Sequence, residues 1–216
     1  MKTLLLLLLL IFLGTSVYGQ TIYLKIGPSF SKLTWNNTMI DENPFQKGIV
    51  GYNAIVGINY LNFKYFNISS NLGFIQKGGN QTITYTDDLG DSIGTGEEIE
   101  RLNFITINTT INFKILIKDF VEPYIFVGPR LDYLLSYKEN IVFLEQFDDV
   151  GKLNKFIYGL SLGCGITFNV KKFRLGAAFD YYLNFIKQVN YESATGITNQ
   201  LYDNTYTINA LIGYKF

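Results

Sequence analysis

The sequence predicts an all-β fold: an eight-stranded antiparallel up-and-down transmembrane β-barrel with four long extracellular loops and three short periplasmic turns. Three observations carry this. Alternation of period two recurs in eight segments, the breaks between them are alternately long and short, and charged residues share one face of the strands with glycine. Composition points the same way, with 16 Tyr and 18 Phe against only 4 Pro in 216 residues.

The first element is an address. Met1-Lys2-Thr3 precedes an unbroken apolar run from Leu4 to Leu13, followed by small residues at Val17 and Gly19. This is the pattern of a secretory signal peptide spanning 1–19, with cleavage expected between Gly19 and Gln20, and 20–216 as one barrel domain. Ten residues at about 1.5 Å each cover only half of a roughly 30 Å hydrocarbon core, so the run is too short for an anchor. No apolar run long enough for a transmembrane helix follows, so any membrane crossing falls to strands.

Strands are expected near 21–33, 48–60, 65–77, 101–114, 122–137, 155–169, 172–187 and 203–216. In the fifth, Ile125, Val127, Leu131, Tyr133, Leu135 and Tyr137 alternate with Gly128, Arg130, Asp132 and Ser136. The seventh sets Phe173, Leu175, Phe179, Leu183 and Phe185 against Arg174, Gly176 and Asp180. The last sets Tyr206, Ile208, Ile212, Tyr214 and Phe216 against Asn209, Gly213 and Lys215. Breaks at 34–47, 78–100, 138–154 and 188–202 are long and polar; those at 61–64, 115–121 and 170–171 are short. Long loops on one rim and tight turns on the other are the habit of outer-membrane barrels.

Alternation alone also fits a soluble carrier of the calycin kind, whose apolar face points inward. Glycine placement separates the two. Gly27, Gly57, Gly73, Gly128, Gly163, Gly176 and Gly213 all lie on the polar face, where a narrow eight-stranded lumen is crowded. Aromatic residues of the apolar face gather at strand ends. Tyr133, Tyr137, Phe156, Tyr158, Phe185 and Tyr206 fall toward one rim, and Tyr60, Phe66, Phe113, Phe168, Phe173, Tyr214 and Phe216 toward the other. Two such girdles match the two interfaces of a bilayer. Strand charges sit on the polar face, and a lipid-facing Arg or Lys at midplane costs about 2–4 kcal/mol. Arg101 alone faces outward, at the rim. The polar face is therefore read as the lumen.

The segments Tyr23 to Leu33, Phe66 to Gly79, Leu102 to Asn108, Pro123 to Pro129 and Leu211 to Phe216 together resemble the Bacteroidetes outer-membrane β-barrel family, often called PorT-like, one of the small OmpA-like eight-stranded barrels. The resemblance implies a Gram-negative outer-membrane location, contact with outer-membrane lipid and lipopolysaccharide, and the barrel fold. It implies no particular activity. Ile212, Tyr214 and Phe216 look like the C-terminal signal read by the outer-membrane insertion machinery. The family pattern carries an acidic residue at the position of Asn71 and a basic one near Asp180, and this chain departs from both.

The candidate site is a lumenal polar cluster: Lys25, Asn71, Arg130, Asp132, Arg174 and Asp180. Its alternative readings are a gated ion path, a small-ligand site or a neutralised plug, and the plug is preferred because buried charges must be paired. Catalytic, cofactor-binding and metal sites are each read as none. With no histidine in the chain, the commonest general base and metal ligand is missing, as is every His-containing triad. Asp87, Asp88, Asp91, Glu97, Glu98 and Glu100 fall on a Gly-rich break read as lacking rigid support, a poor platform for preorganised acids. Cys164 sits between Leu162 and Ile166 on the apolar face, as a filler. The 18 basic and 18 acidic residues balance, which argues against nucleic acid. Most acids lie in the long breaks, so divalent cations are a further expected partner at 78–100 and 138–154.

The expected function is non-enzymatic: an integral outer-membrane barrel with a structural or surface-interaction role through its loops. A narrow channel or secretion-system accessory, and a soluble carrier, are the alternatives.

Overall fold

A computed structural model describes residues 20–39, 43–117, 120–138, 152–193 and 196–216. The leader 1–19, with the Gly19 side of its expected cleavage site, lies outside them, as does most of the break at 138–154.

Among the described residues nine strands form one sheet: β1 (Thr21–Asn37), β2 (Ile49–Tyr60), β3 (Phe66–Thr86), β4 (Ser92–Lys114), β5 (Val121–Lys138), β6 (Phe156–Val170), β7 (Phe173–Asn184), β8 (Val189–Glu192) and β9 (Thr198–Lys215). Each pairs antiparallel with its neighbour, and β9 pairs back onto β1. Eight strands thus close a ring, which leaves none of the eight as an edge within it. The closing ladder runs from Thr21–Lys215 to Asn37–Asn199 and skips Gly27 and Pro28, where proline has no N–H to donate. The short β8 lies beside β9 beyond the end of β7.

Side-chain direction settles which face is outside. Ile26, Val56, Leu72, Ile107, Ile125, Leu175 and Ile208 are exposed on the outer surface. Lys25, Asn71, Asn108, Arg130, Asp132 and Asp180 are buried inside the ring. Glycine makes room for rings in the lumen. A Cβ at Gly57 would collide with the Tyr23 ring, and one at Gly163 would lie 2.7 Å from Phe126. On the outer face the apolar rows end, toward the long-loop rim, in Lys32, Gln76, Arg101, Asn103 and Ser136. There the guanidinium of Arg101 donates to Gln76 (2.8 Å), the Gln76 amide to Asn103 (3.0 Å) and the Asn103 amide to Ser136 (3.1 Å).

Three expectations are corrected. The break at 78–100 is mostly strand: β3 and β4 run on as a hairpin to a turn at 87–91, whose Asp87 side chain accepts from the backbone N–H groups of Leu89 and Asp91, both at 2.9 Å. Thr and Ile at alternate positions support extended pairing there, and Gly90 (φ 87°) supplies the left-handed residue of the turn. The break at 188–202 likewise contains β8 and the first residues of β9. Tyr137 turns inward rather than toward lipid, because the β4–β5 register shifts between Asn103 and Phe104, leaves Leu135 as the extra residue and carries those after it to the opposite faces.

The lumen is not polar throughout. At the long-loop end, inward positions are Leu33, Trp35, Ile75, Leu102, Phe104, Leu134, Ile157 and Leu201, and these pack with Phe45, Leu153 and Val189 from the connecting segments. Above the lipid-facing band the barrel therefore holds a small hydrophobic core, formed by burial from water as in a soluble domain.

Candidate functional site

The six residues of the predicted cluster do not form one group. They fall into tiers along the lumen, each completed by residues that the sequence pattern did not single out.

At the long-loop end, Arg130 and Asp132 lie two residues apart on β5 and share the inward face, 3.2 Å apart. Lys77 of β3 joins them, with Nζ 2.9 Å from Asp132 and 3.2 Å from Asp203 of β9. All four are fully buried or nearly so, and two positive charges meet two negative ones. Aromatic faces complete the seat: Lys77 Nζ is 4.9 Å from the Phe104 ring centre, and the Arg130 guanidinium is 4.7 Å from that of Tyr182. Asp203 also accepts from Thr205 (2.6 Å), Asn184 (2.9 Å) and Gln188. Lys77 and Asp203 stand at the expected strand ends, where solvent is the default environment. Their inward parity with Asn71 and Thr205 was the available signal.

In the middle tier Lys25 of β1 pairs with Asp180 of β7 across the barrel closure. Asp180 also accepts from Asn209 at 2.6 Å. Asn71 belongs to a neutral ladder instead: it accepts from the Tyr23 hydroxyl (2.5 Å) and donates to Asn108 (2.7 Å). The space left among Tyr23, Lys25, Asn71, Asn108 and Phe126 is about 30 Å³, room for roughly one water.

At the short-turn end Arg174 pairs with Glu122 of β5, not with Asp180, and donates through Nε to Thr167 (2.9 Å). Lys114 of β4 approaches the same carboxylate at 3.7 Å and donates to Asn62. Six residues separate Arg174 from Asp180 on one strand, a rise of about 20 Å, so the two cannot meet.

Among the described residues no three His, Cys, Asp or Glu side chains gather in a way that could hold a metal ion. The acids of 78–100 have a strand scaffold after all. Glu97 pairs with Lys47 and accepts from Asn80 (3.0 Å), and these bonds hold its carboxyl below the usual glutamate range. Glu98 and Glu100 point to the opposite side of the hairpin. Cys164 is exposed on the outer, apolar face.

The family model described as "Outer membrane protein beta-barrel domain" matches residues 19–190, most of the chain. The chain belongs to this family. No curated relative matches its sequence. Among solved structures, OprG of Pseudomonas aeruginosa is similar at 12% identity with a TM-score of 0.54, over 93% of this chain and 97% of that one. Ail of Yersinia pestis is similar at 15% identity and TM-score 0.41, over 92% and 99%. The N-terminal barrel domain of OprF from Pseudomonas aeruginosa gives 10% and 0.46, over 92% and 98%. As an outer-membrane barrel the protein crosses the bilayer with its strands, and the apolar rows are its lipid-facing surface. The soluble-carrier alternative, which needed those rows inside, is overturned.

Proposed function

We propose that this outer-membrane barrel is a non-enzymatic structural or surface-interaction protein whose lumen is closed by its own side chains. The observation that carries this reading is the tiering of paired charges. Arg130, Asp132, Lys77 and Asp203 neutralise one another, Lys25 and Asp180 do the same below them, and an apolar core caps the long-loop end. Breaking such pairs to admit a hydrated ion would leave charges unpartnered in a medium of low polarity, at several kcal/mol each. Specificity then resides in what projects beyond the bilayer, above all the β3–β4 hairpin and the acid-rich connections. Export through the leader 1–19, insertion through Ile212 and Tyr214 on the outer face of β9 with Phe216 just past its end, and periplasmic placement of the short turns belong to the same reading, as does PorT-like membership. Planar-bilayer recording tests the closed lumen. Wild-type protein is expected to give no steady conductance, and unitary currents abolished by Arg130→Glu would establish a channel instead. The accessory alternative is read by co-purification in mild detergent: a stoichiometric secretion partner would favour it over a free-standing barrel.

A further inference from the structure

The charges at the short-turn end do not balance as those above them do. Lys114 and Arg174, both largely buried, share the single carboxylate of Glu122, and the Lys114 contact is the looser at 3.7 Å. These three residues form the inner wall of an open vestibule of about 500 Å³, within the size range of small-molecule sites. Its rim carries Lys64, Lys171 and Lys215, all exposed. Among the described residues five cations and one carboxylate thus line one concavity, a surplus of four positive charges. Lys171 holds its place in the tight β6–β7 turn with a left-handed backbone (φ 55°), a conformation that costs a side-chain-bearing residue free energy.

We propose that this vestibule binds a phosphate-bearing anion, seated by Lys114 and Arg174 and drawn in by the three rim lysines. A second carboxylate would offset only one charge of the surplus, whereas a multiply charged phosphate offsets more and presents oxygens to both the guanidinium fork and the ammonium. Clustered charges of one sign in a concavity raise the local concentration of anions, and salt screens that attraction, so binding weakens as salt rises. The proposal is independent of whether the lumen above is closed.

The test uses the full-length protein in zwitterionic lipid nanodiscs, titrated with inorganic pyrophosphate and followed by NMR at Arg174 Nε–H and the Asn169 amide. Saturable shifts are expected, with affinity about tenfold lower in Lys114→Met, the loss of one charge-assisted contact. Should that variant fail to fold, the exposed triple variant Lys64→Gln, Lys171→Gln, Lys215→Gln is expected to weaken binding and flatten its salt dependence. Lys138→Met, at the opposite rim, is expected to leave binding unchanged. A second arm replaces pyrophosphate by phosphatidylglycerol in the disc. Shifts at the same groups in that arm identify a lipid headgroup as the source of the phosphate, and shifts with pyrophosphate alone identify a soluble anion. No saturable shift in either arm, or equal weakening by Lys138→Met and Lys114→Met, would overturn the proposal.

Discussion

The lumenal charges illustrate how a side chain's worth depends on its partners. Lys77 touches both Asp132 and Asp203, so its removal leaves two buried carboxylates with Arg130 alone. Lys77→Met is expected to destabilise the barrel by about 3–5 kcal/mol in urea unfolding from lipid vesicles. The double variant Lys77→Met with Asp203→Asn should cost less than the sum of the singles, because the second change removes a charge the first left stranded. Lys47 and Glu97 give the contrasting case, since both are more than half exposed. The Glu97 carboxyl titrates below its ordinary range, so its contribution is present above the unfolded-state value and fades as pH falls through the folded one. NMR titration is expected to show the depressed value in wild type and its return toward that of free glutamate in Lys47→Met. Parity alone places Arg130, Asp132, Lys25 and Asp180 on one face. Which of them meet is a matter of height and of neighbouring strands, which no single strand encodes.

Among the elements, the β3–β4 hairpin departs most from its sequence appearance. Glycines and acids at 87–100 resemble an unstructured break, yet Ile83, Thr84, Tyr85 and Ile93 keep the alternation that a partner strand can use. Pairing of the two arms with each other satisfies backbone groups of both, and Lys47 bonds the outer side of β3 at Asn80. The outer part of the hairpin contributes little to the ring itself. Deleting 84–95 and closing the arms with a short turn is therefore expected to leave heat-modifiable gel mobility, the mark of a folded barrel, intact. Loss of that shift would mean that the hairpin helps to fold the ring. Tyr137 makes a related point. One residue of register shift sends it from the lipid face into the upper core, and a shift of that kind depends on the pairing of β5 with β4 rather than on β5 alone.

For the whole molecule the decisive quantity is the direction of the apolar rows. Ala210, exposed on the outer face of β9, lies midway between Tyr206 and Tyr214 in its lipid-facing row. Ala210→Arg is expected to cost about 2–4 kcal/mol in vesicle-based unfolding. A change near zero would mean that this row lies outside the hydrocarbon. The same surface gives a membrane barrel its solubility in lipid and leaves its identity to the parts that protrude.

The amino-acid sequence by itself determined the eight strands of the ring, the alternation, the lipid-facing rows and the crowded glycine face, because these are periodic properties of single segments and each strand carries them whole. Only the tertiary structure decided the partners of Lys77, Asp203, Lys114 and Glu122, the apolar core at the long-loop end and the surplus of positive charge at the short-turn mouth. Each of those depends on distances between strands far apart in the chain, and such distances are set by closure of the ring and the stagger of its ladders.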